Sequence, residues 1–287
     1  FGGIRVDDGM RTSDPDILAV GDAVEVKHFI TGQPALVPLS GPANRQARIA
    51  ADNCLGRDSK FRGTQGTAIV RVFDLTAAGT GAAEKILKQN NMPYRRIYLH
   101  PKDHAGYYPG AEVISMKITI APEDGRILGA QVVGKKGVDK RIDVLATAIQ
   151  AGMTLDDLEE VELAYAPPFG SAKDPVNMAG FVGGNLLGGD VRITEPDAVP
   201  SEACLLDVRD PDELEENGTI PGATNIPLPE LRKRFRELPT DRPLVVFCAI
   251  GLRGYIAYRF LTQNGVPCTN LSGGYKTYMA YQGVTKT

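Results

Sequence analysis

Residues 243–264 read PLVVFCAIGLRGYIAYRFLTQN. The run from Leu244 to Ala249 is short and continuously apolar, the pattern of a buried parallel strand. A helix is expected from Arg253 to Asn264, ended by Gly265, and VPCTNL at 266–271 reads as the next strand. CLLDVR at 204–209 supplies an earlier one. This β–α–β rhythm predicts an α/β domain with a central parallel sheet over residues 190–287.

Cys248 falls where that strand gives way to the helix. Unpaired backbone N–H groups gather at a helix start. Together with the helix dipole they favour thiolate over thiol. Gly251 lets the loop curl so that its amides form an anion-binding nest. Arg253 is expected to add a permanent positive charge at the mouth. Sulfur transfer suits this set of groups: a thiolate attacks the outer sulfur of a donor, the persulfide anion is held by the same donors, and an acceptor removes the sulfur. The competing reading is a buried, inert cysteine at a strand end. Asp207 and Arg209, just past a strand, are expected either to organise the site or to form a solvated charge cluster.

The chain has 287 residues, enough for two domains and a further fragment. A net charge of −3 with interspersed signs argues against a nucleic-acid partner. Apolar runs stay below the ~18 residues of a membrane span. The cysteines, Cys54, Cys204, Cys248 and Cys268, form no CxxC and no zinc-like set with histidine. They are expected to be free thiols in a reducing compartment, the cytoplasm, with no metal bound.

Two segments precede the α/β domain. In residues 1–62, ILAV at 17–20 reads as a short strand closed by Gly21-Asp22, and a helix is expected from Ala43 to Leu55, stopped by Gly56. In residues 63–189 the runs AIVRVF, RRIYL, VISMKITIA and LGAQVVG read as strands. Helices are expected over Ala82–Asn90 and Lys140–Ala151, the second with Ile142, Leu145, Ala146 and Ile149 at helical spacing. The pattern predicts an α+β domain, an antiparallel sheet with helices on one face. The Gly-rich stretch from Gly180 to Gly189 reads as a linker or its approach.

Three strings carry a family resemblance: CAIGLR at 248–253, LLDVRDPDELEENGTIPGATNIP at 205–227 and LSGGYKTY at 271–278. They resemble the rhodanese domain, which implies a sulfurtransferase loop built on Cys248, Gly251 and Arg253. Thr219 stands where that family commonly has histidine, and Tyr278 where it has tryptophan. Four residues separate Cys248 from Arg253, where related phosphatases place five; the shorter loop favours sulfur.

A second resemblance covers the rest. TSDPDILAVGDA at 12–23 is similar to the second flavin fingerprint of the pyridine nucleotide-disulfide oxidoreductases, which implies that Gly21 and Asp22 help bind FAD. The G-x-G-x-x-G turns for FAD and NAD(P)H, and the redox cysteine of that family, are absent here and are expected before Phe1. The chain thus resembles the C-terminal part of a flavoenzyme, preceded by a remnant of its flavin-binding α/β domain, and FAD should bind to it poorly. HPKDHAGYYPGA at 100–111 and LAYAPPFGSAKDP at 163–175 resemble the dimerisation domain of coenzyme A disulfide reductases and related NADH oxidases and persulfide reductases. That implies a homodimer through 63–189, with Tyr107 and Tyr165 acting on the sulfur substrate in the partner subunit's site and Phe169 facing its flavin. By residue type alone, the two tyrosines read equally as interface residues. His100 and His104 are expected to be loop residues and not ligands.

Together these features imply a coenzyme A disulfide or persulfide reductase fused to a rhodanese domain. Its small-molecule thiol, disulfide or persulfide would exchange sulfane sulfur with Cys248. The alternatives are a stand-alone sulfurtransferase, a non-catalytic rhodanese-like binding module, and part of an NADH oxidase.

Overall fold

The computed structural model describes residues 2–239 and 241–285, so the expected outer limits at Phe1 and Thr287 lie outside the described residues. The chain divides into two compact units. One comprises Phe1–Arg96, Tyr107–Ile114 and Ile118–Thr154, the other Ile97–Gly106, Ser115–Lys117 and Leu155–Thr287.

The first unit opens with a small sheet in which β2 (Val24–Lys27) lies between β1 (Ile4–Arg5), parallel to it, and β3 (Pro34–Leu36), antiparallel. The expected ILAV strand is reduced to a single bridge, Leu18 with Arg11. With no longer strand beside it, its backbone pairs back across a tight turn, Thr12 N–H to Ile17 C=O and Ala19 N–H to Met10 C=O. Helix α1 (Ser40–Cys54) begins three residues earlier than expected. Its polar side chains fasten it: Gln46 Oε1 accepts from Gly21 N–H at 2.7 Å, and Asn53 Nδ2 donates to the carbonyl of Gly9 at 2.9 Å.

The next elements are β4 (Ala68–Val72), β5 (Leu75–Gly81), α2 (Glu84–Gln89), β6 (Arg95–Leu99), β7 (Ile114–Ile120), β8 (Ile127–Gly134) and α3 (Val138–Ala151). The sheet order is β4-β5-β8-β7-β6, with β5 antiparallel to both neighbours. The sequence pattern missed β5, whose LTAAGTG is nearly all small residues. Its small residues serve close approach: a Cβ on Gly81 would collide with the Leu128 carbonyl. Helix α3 buries Ile142, Leu145 and Ile149 against β5 and β8, as the spacing predicts, with Ala146 half-buried.

In the second unit, α4 (Leu155–Glu160) packs on α5 (Pro175–Leu187). The glycine-rich stretch expected to be a linker is most of this helix. Asp174 caps it with a reciprocal capping box, and Pro175 opens its first turn. Its glycines permit contact: a Cβ on Gly180 would lie 2.7 Å from Glu159 N, and one on Gly183 would lie 2.6 Å from the Leu155 side chain. Tertiary packing here outweighs glycine's poor helix propensity.

The remaining elements are β9 (Ile193–Thr194), β10 (Cys204–Asp207), α6 (Pro211–Asn217), β11 (Thr224–Asn225), α7 (Leu228–Arg234), β12 (Leu244–Phe247), α8 (Leu252–Gln263), β13 (Thr269–Leu271) and α9 (Gly274–Thr285). The sheet runs β11-β10-β12-β13-β9 with every pairing parallel, as predicted. All four residues of β12 are buried, as expected of a central strand covered on both faces.

Candidate active site

Central strand β12 delivers Cys248 to the carboxyl end of the parallel sheet, where strand ends, loops and helix N-termini meet. The thiol is buried, and Gly251 N–H donates to Sγ at 3.2 Å. Gly251 holds φ +106°, a value open to glycine and closed to a residue with a Cβ.

Helix α9 shapes this loop from the other side. Tyr275 N–H donates to the Cys248 carbonyl at 2.8 Å, and Lys276 N–H to the Ala249 carbonyl at 3.0 Å. These first-turn amides have no acceptor within their own helix. Because a trans peptide sets its C=O and N–H on opposite edges, fixing both carbonyls toward α9 sends the N–H groups of Ala249 and Ile250 the other way. Close approach is possible because Gly274 has no side chain: a Cβ there would lie 2.5 Å from the Cys248 carbonyl oxygen and 2.8 Å from Gly251 N. Asn270 of β13 clamps the far end, its Nδ2 donating to the Gly251 carbonyl at 3.2 Å. No local pattern marks Gly273-Gly274 or Asn270 as loop supports, because their action depends on which elements meet.

Arg253 departs from expectation. Its guanidinium is not a free cation at the mouth but binds Glu213 of α6 bidentately, at 2.6 and 2.7 Å, with Asp210 at 3.5 Å. The Arg253 hydrogen bond holds the Glu213 carboxyl below its ordinary range, and Glu213 raises Arg253 in turn. An incoming anion must therefore compete with Glu213 for Arg253.

Asp207 and Arg209 form no solvated cluster. Both are buried, and Arg209 Nη2 lies 2.6 Å from Asp207 Oδ2. Arg209 also donates to the Gly218 carbonyl at 2.9 Å, and the Thr219 hydroxyl donates to Asp207 Oδ2 at 2.7 Å. Arg209 lies 4.3 Å from the ring centroid of Tyr275, the residue whose amide holds the Cys248 carbonyl. Asp207 is paired in register with Phe247, one residue before Cys248. The pair sits behind the loop, its polar atoms engaged within the fold. Thr219 joins this network, while Tyr278 packs against the core of Ile220, Val245, Phe247 and Leu271.

The other cysteines differ from Cys248. All four are free; Cys54 is exposed, and burial pushes the Cys268 thiol up to about 12 and raises that of Cys204. His100 and His104 lie in loops, as expected, and both are buried and hydrogen-bonded. Among the described residues no cluster of three or more metal-ligating side chains occurs.

The two dimerisation strings meet where Ala105 N–H donates to the Gly170 carbonyl at 2.8 Å. Tyr107, Tyr165 and Phe169 are all exposed, Tyr107 to 77% and Phe169 to 72%. In the first unit, Gly21 takes φ +87° and presents Asp22 as an exposed carboxylate at the end of the turn. Such a carboxylate can accept hydrogen bonds from sugar-like hydroxyls, so these residues fit the one contact with FAD assigned to them. A largely apolar cavity of ≈ 450 Å³ lies beside the Cys248 loop, walled by Ile250, Leu252 and Tyr255 and by Met178 and Phe181 of α5.

No helix among the described residues is long and apolar enough to cross a membrane. Residues 67–175 match the pyridine nucleotide-disulphide oxidoreductase dimerisation domain, and residues 192–281 the rhodanese-like domain. A coenzyme A disulfide reductase of Staphylococcus haemolyticus (strain JCSC1435) is 39% identical over 181 residues, which is 63% of this chain and 41% of that protein. Reduced Bacillus anthracis CoADR-RHD is 47% identical, with a TM-score of 0.93 over 96% of this chain and 50% of its own. An NAD-dependent persulfide reductase from A. fulgidus is 41% identical, with a TM-score of 0.88 over 95% of this chain and 50% of its own. The chain thus spans half or less of the length of these relatives. The chain thus carries a stretch matching the pyridine nucleotide-disulphide oxidoreductase dimerisation domain followed by one matching the rhodanese-like domain, in the architecture it shares with Bacillus anthracis CoADR-RHD.

Proposed function

We propose that the chain is the C-terminal part of a flavin-dependent NAD(P)H coenzyme A disulfide or persulfide reductase, in which Cys248 carries sulfane sulfur as a persulfide. The observation that carries this is the hydrogen bond from Gly251 N–H to Cys248 Sγ, within a loop whose carbonyls are drawn toward α9. With thiosulfate as donor, the Cys248 thiolate attacks the outer sulfur; a new S–S bond forms, the donor S–S bond breaks, and sulfite leaves with the electron pair. The persulfide anion rests on the loop amides until a thiolate acceptor attacks its outer sulfur and regenerates the Cys248 thiolate. Asp207 and Arg209 hold the strand end and Tyr275 in place, and Arg253 exchanges Glu213 for the anionic donor.

FAD would supply reducing equivalents from NAD(P)H to the disulfide or persulfide. Gly21 and Asp22 would help hold FAD; Phe169 would face the flavin, and Tyr107 and Tyr165 the sulfur substrate, in a partner subunit. Their exposure supports contact across a homodimer through residues 63–189. So does the apolar edge strand β4, where Ile69, Val70 and Val72 are each more than half exposed and the adjoining Phe73 is 93% exposed. The functional division is 1–62, 63–189 and 190–287, and the cytoplasm, where thiols stay reduced, is the compartment.

The test is mass spectrometry of the intact chain after thiosulfate or polysulfide treatment. Cys248 should gain one sulfur atom, and Cys248→Ala should lose both that gain and sulfurtransferase turnover. An unmodified Cys248 would leave only a binding module.

A further inference from the structure

We propose that His100 is a positioning residue for the sulfur-transfer loop and acts through Thr277; this rests on the reading of Cys248 as the sulfur carrier. His100 lies in the stretch matched to the dimerisation domain and Thr277 in the stretch matched to the rhodanese-like domain. Both fall in one compact unit.

Side chains alternate along an extended strand, so Tyr98 in β6 and His100 just past its end share a face. Thr277 and Tyr281, four apart, share a face of α9. Two strand residues advance ~6.6 Å and four helical residues ~6.0 Å, so the two spacings match. Both rungs of the ladder form: His100 Nε2 lies 2.7 Å from Thr277 Oγ1, and the hydroxyls of Tyr98 and Tyr281 are 2.7 Å apart.

Counting protons fixes the direction of the polar chain. The Thr277 hydroxyl donates to the Gly273 carbonyl at 3.1 Å. Its one proton is then used, so it accepts from His100 Nε2–H. The neutral imidazole accepts at Nδ1 from the Ser115 hydroxyl, 2.9 Å away. Burial, aided by the Lys276 charge, lowers His100 to about 4 and keeps it in that form. Each group from Ser115 to Gly273 thus donates to the next.

This chain ends at the glycine pair that carries the loop. Gly273 takes φ +68°, wedged so tightly that a Cβ would collide with Thr277 Oγ1 and lie 2.7 Å from Tyr98 Cβ. Gly274 then abuts the Cys248 carbonyl, and the next two amides hold the carbonyls of Cys248 and Ala249. Residues of the dimerisation stretch therefore set the place of α9's first turn, and that turn sets the direction of the loop amides.

The test uses the full chain with His100→Ala, Thr277→Val and His100→Gln. One readout is the iodoacetamide labelling rate of Cys248 at neutral pH, with exposed Cys54 as internal reference. The other is the split of kcat from KM in sulfur transfer from thiosulfate. His100→Ala and Thr277→Val should each slow labelling and kcat about tenfold, as expected for loss of one positioning hydrogen bond, with KM little changed. His100→Gln, whose amide can still donate to Thr277, should recover most of both. The double variant should be no worse than either single one, because both break the same chain. Wild-type labelling and kcat in either single variant overturn the proposal. So does a His100→Gln variant of wild-type melting temperature that is as slow as His100→Ala. If the unmodified chain never loads sulfur on Cys248, the sulfur-carrier reading fails, while the labelling ratio still decides the role of His100.

Discussion

Replacing Gly274 by alanine separates conformational strain from steric contact at the Cys248 loop. Gly274 holds φ +65°, which costs about 1–2 kcal/mol for any residue with a Cβ. Its Cβ would also lie 2.5 Å from the Cys248 carbonyl oxygen, 2.8 Å from Gly251 N and 2.9 Å from Ile250 N. All three are backbone atoms, so no side chain can swing away, and overpacking of this kind costs about 1–3 kcal/mol. The expected loss for Gly274→Ala is about 2–4 kcal/mol, allowing for the smaller entropy of the alanine-bearing unfolded chain. Gly265, which ends α8, is the control: φ is +76°, but a Cβ would meet nothing within 4 Å. Gly265→Ala should therefore cost only about 1 kcal/mol. Urea unfolding of both variants, followed at Phe and Tyr, gives the two losses. Sulfur loading of Cys248 should fall in Gly274→Ala and persist in Gly265→Ala. Equal losses, or full loading in Gly274→Ala, would show that α9 does not shape the loop.

Further outcomes follow from the same geometry. Asp207→Asn leaves the Arg209 charge buried without its partner and should cost about 3–5 kcal/mol in denaturant unfolding, whereas Thr219→Ala should cost about 1 kcal/mol. His100 is lowered in the fold from 6.5 to about 4, so its contribution is complete above pH 6.5 and is lost as pH falls toward 4. That loss is on the order of 3 kcal/mol, and His100→Gln should flatten the stability profile across the same window. Val70→Glu with Phe73→Asp should turn a homodimer into a monomer in sedimentation velocity, while sulfur loading on Cys248 is retained.

Local patterns made most of the α/β half legible. The apolar run from Leu244 to Ala249, the helix expected from Arg253 and the loop glycine each need only a few neighbouring residues to be read. The strand and the helix form as β12 and α8, in a wholly parallel sheet. The middle sheet was legible where apolar residues form its strands and illegible at β5, where LTAAGTG carries little hydrophobic signal. Glycine misled in α5 for a related reason. A linker and a close helix contact both call for residues without side chains, and only the packing of α4 on α5 separates the two.

The sequence by itself determined the strand that leads to Cys248 and the helix that follows, because period and turn chemistry act over a few residues. Tertiary structure alone decided what surrounds that cysteine. Arg253 reads as a free charge until Glu213, forty residues earlier, is brought against it. Asp207 and Arg209 read equally as organisers of the site and as a solvated pair until the sheet buries them. His100 reads as a loop residue, as it is, but only the packing of α9 brings Thr277 Oγ1 to its Nε2. Each of these depends on which distant groups share a site, and the energy of a charge or hydrogen bond is set by its partners and its burial, neither of which a linear pattern contains.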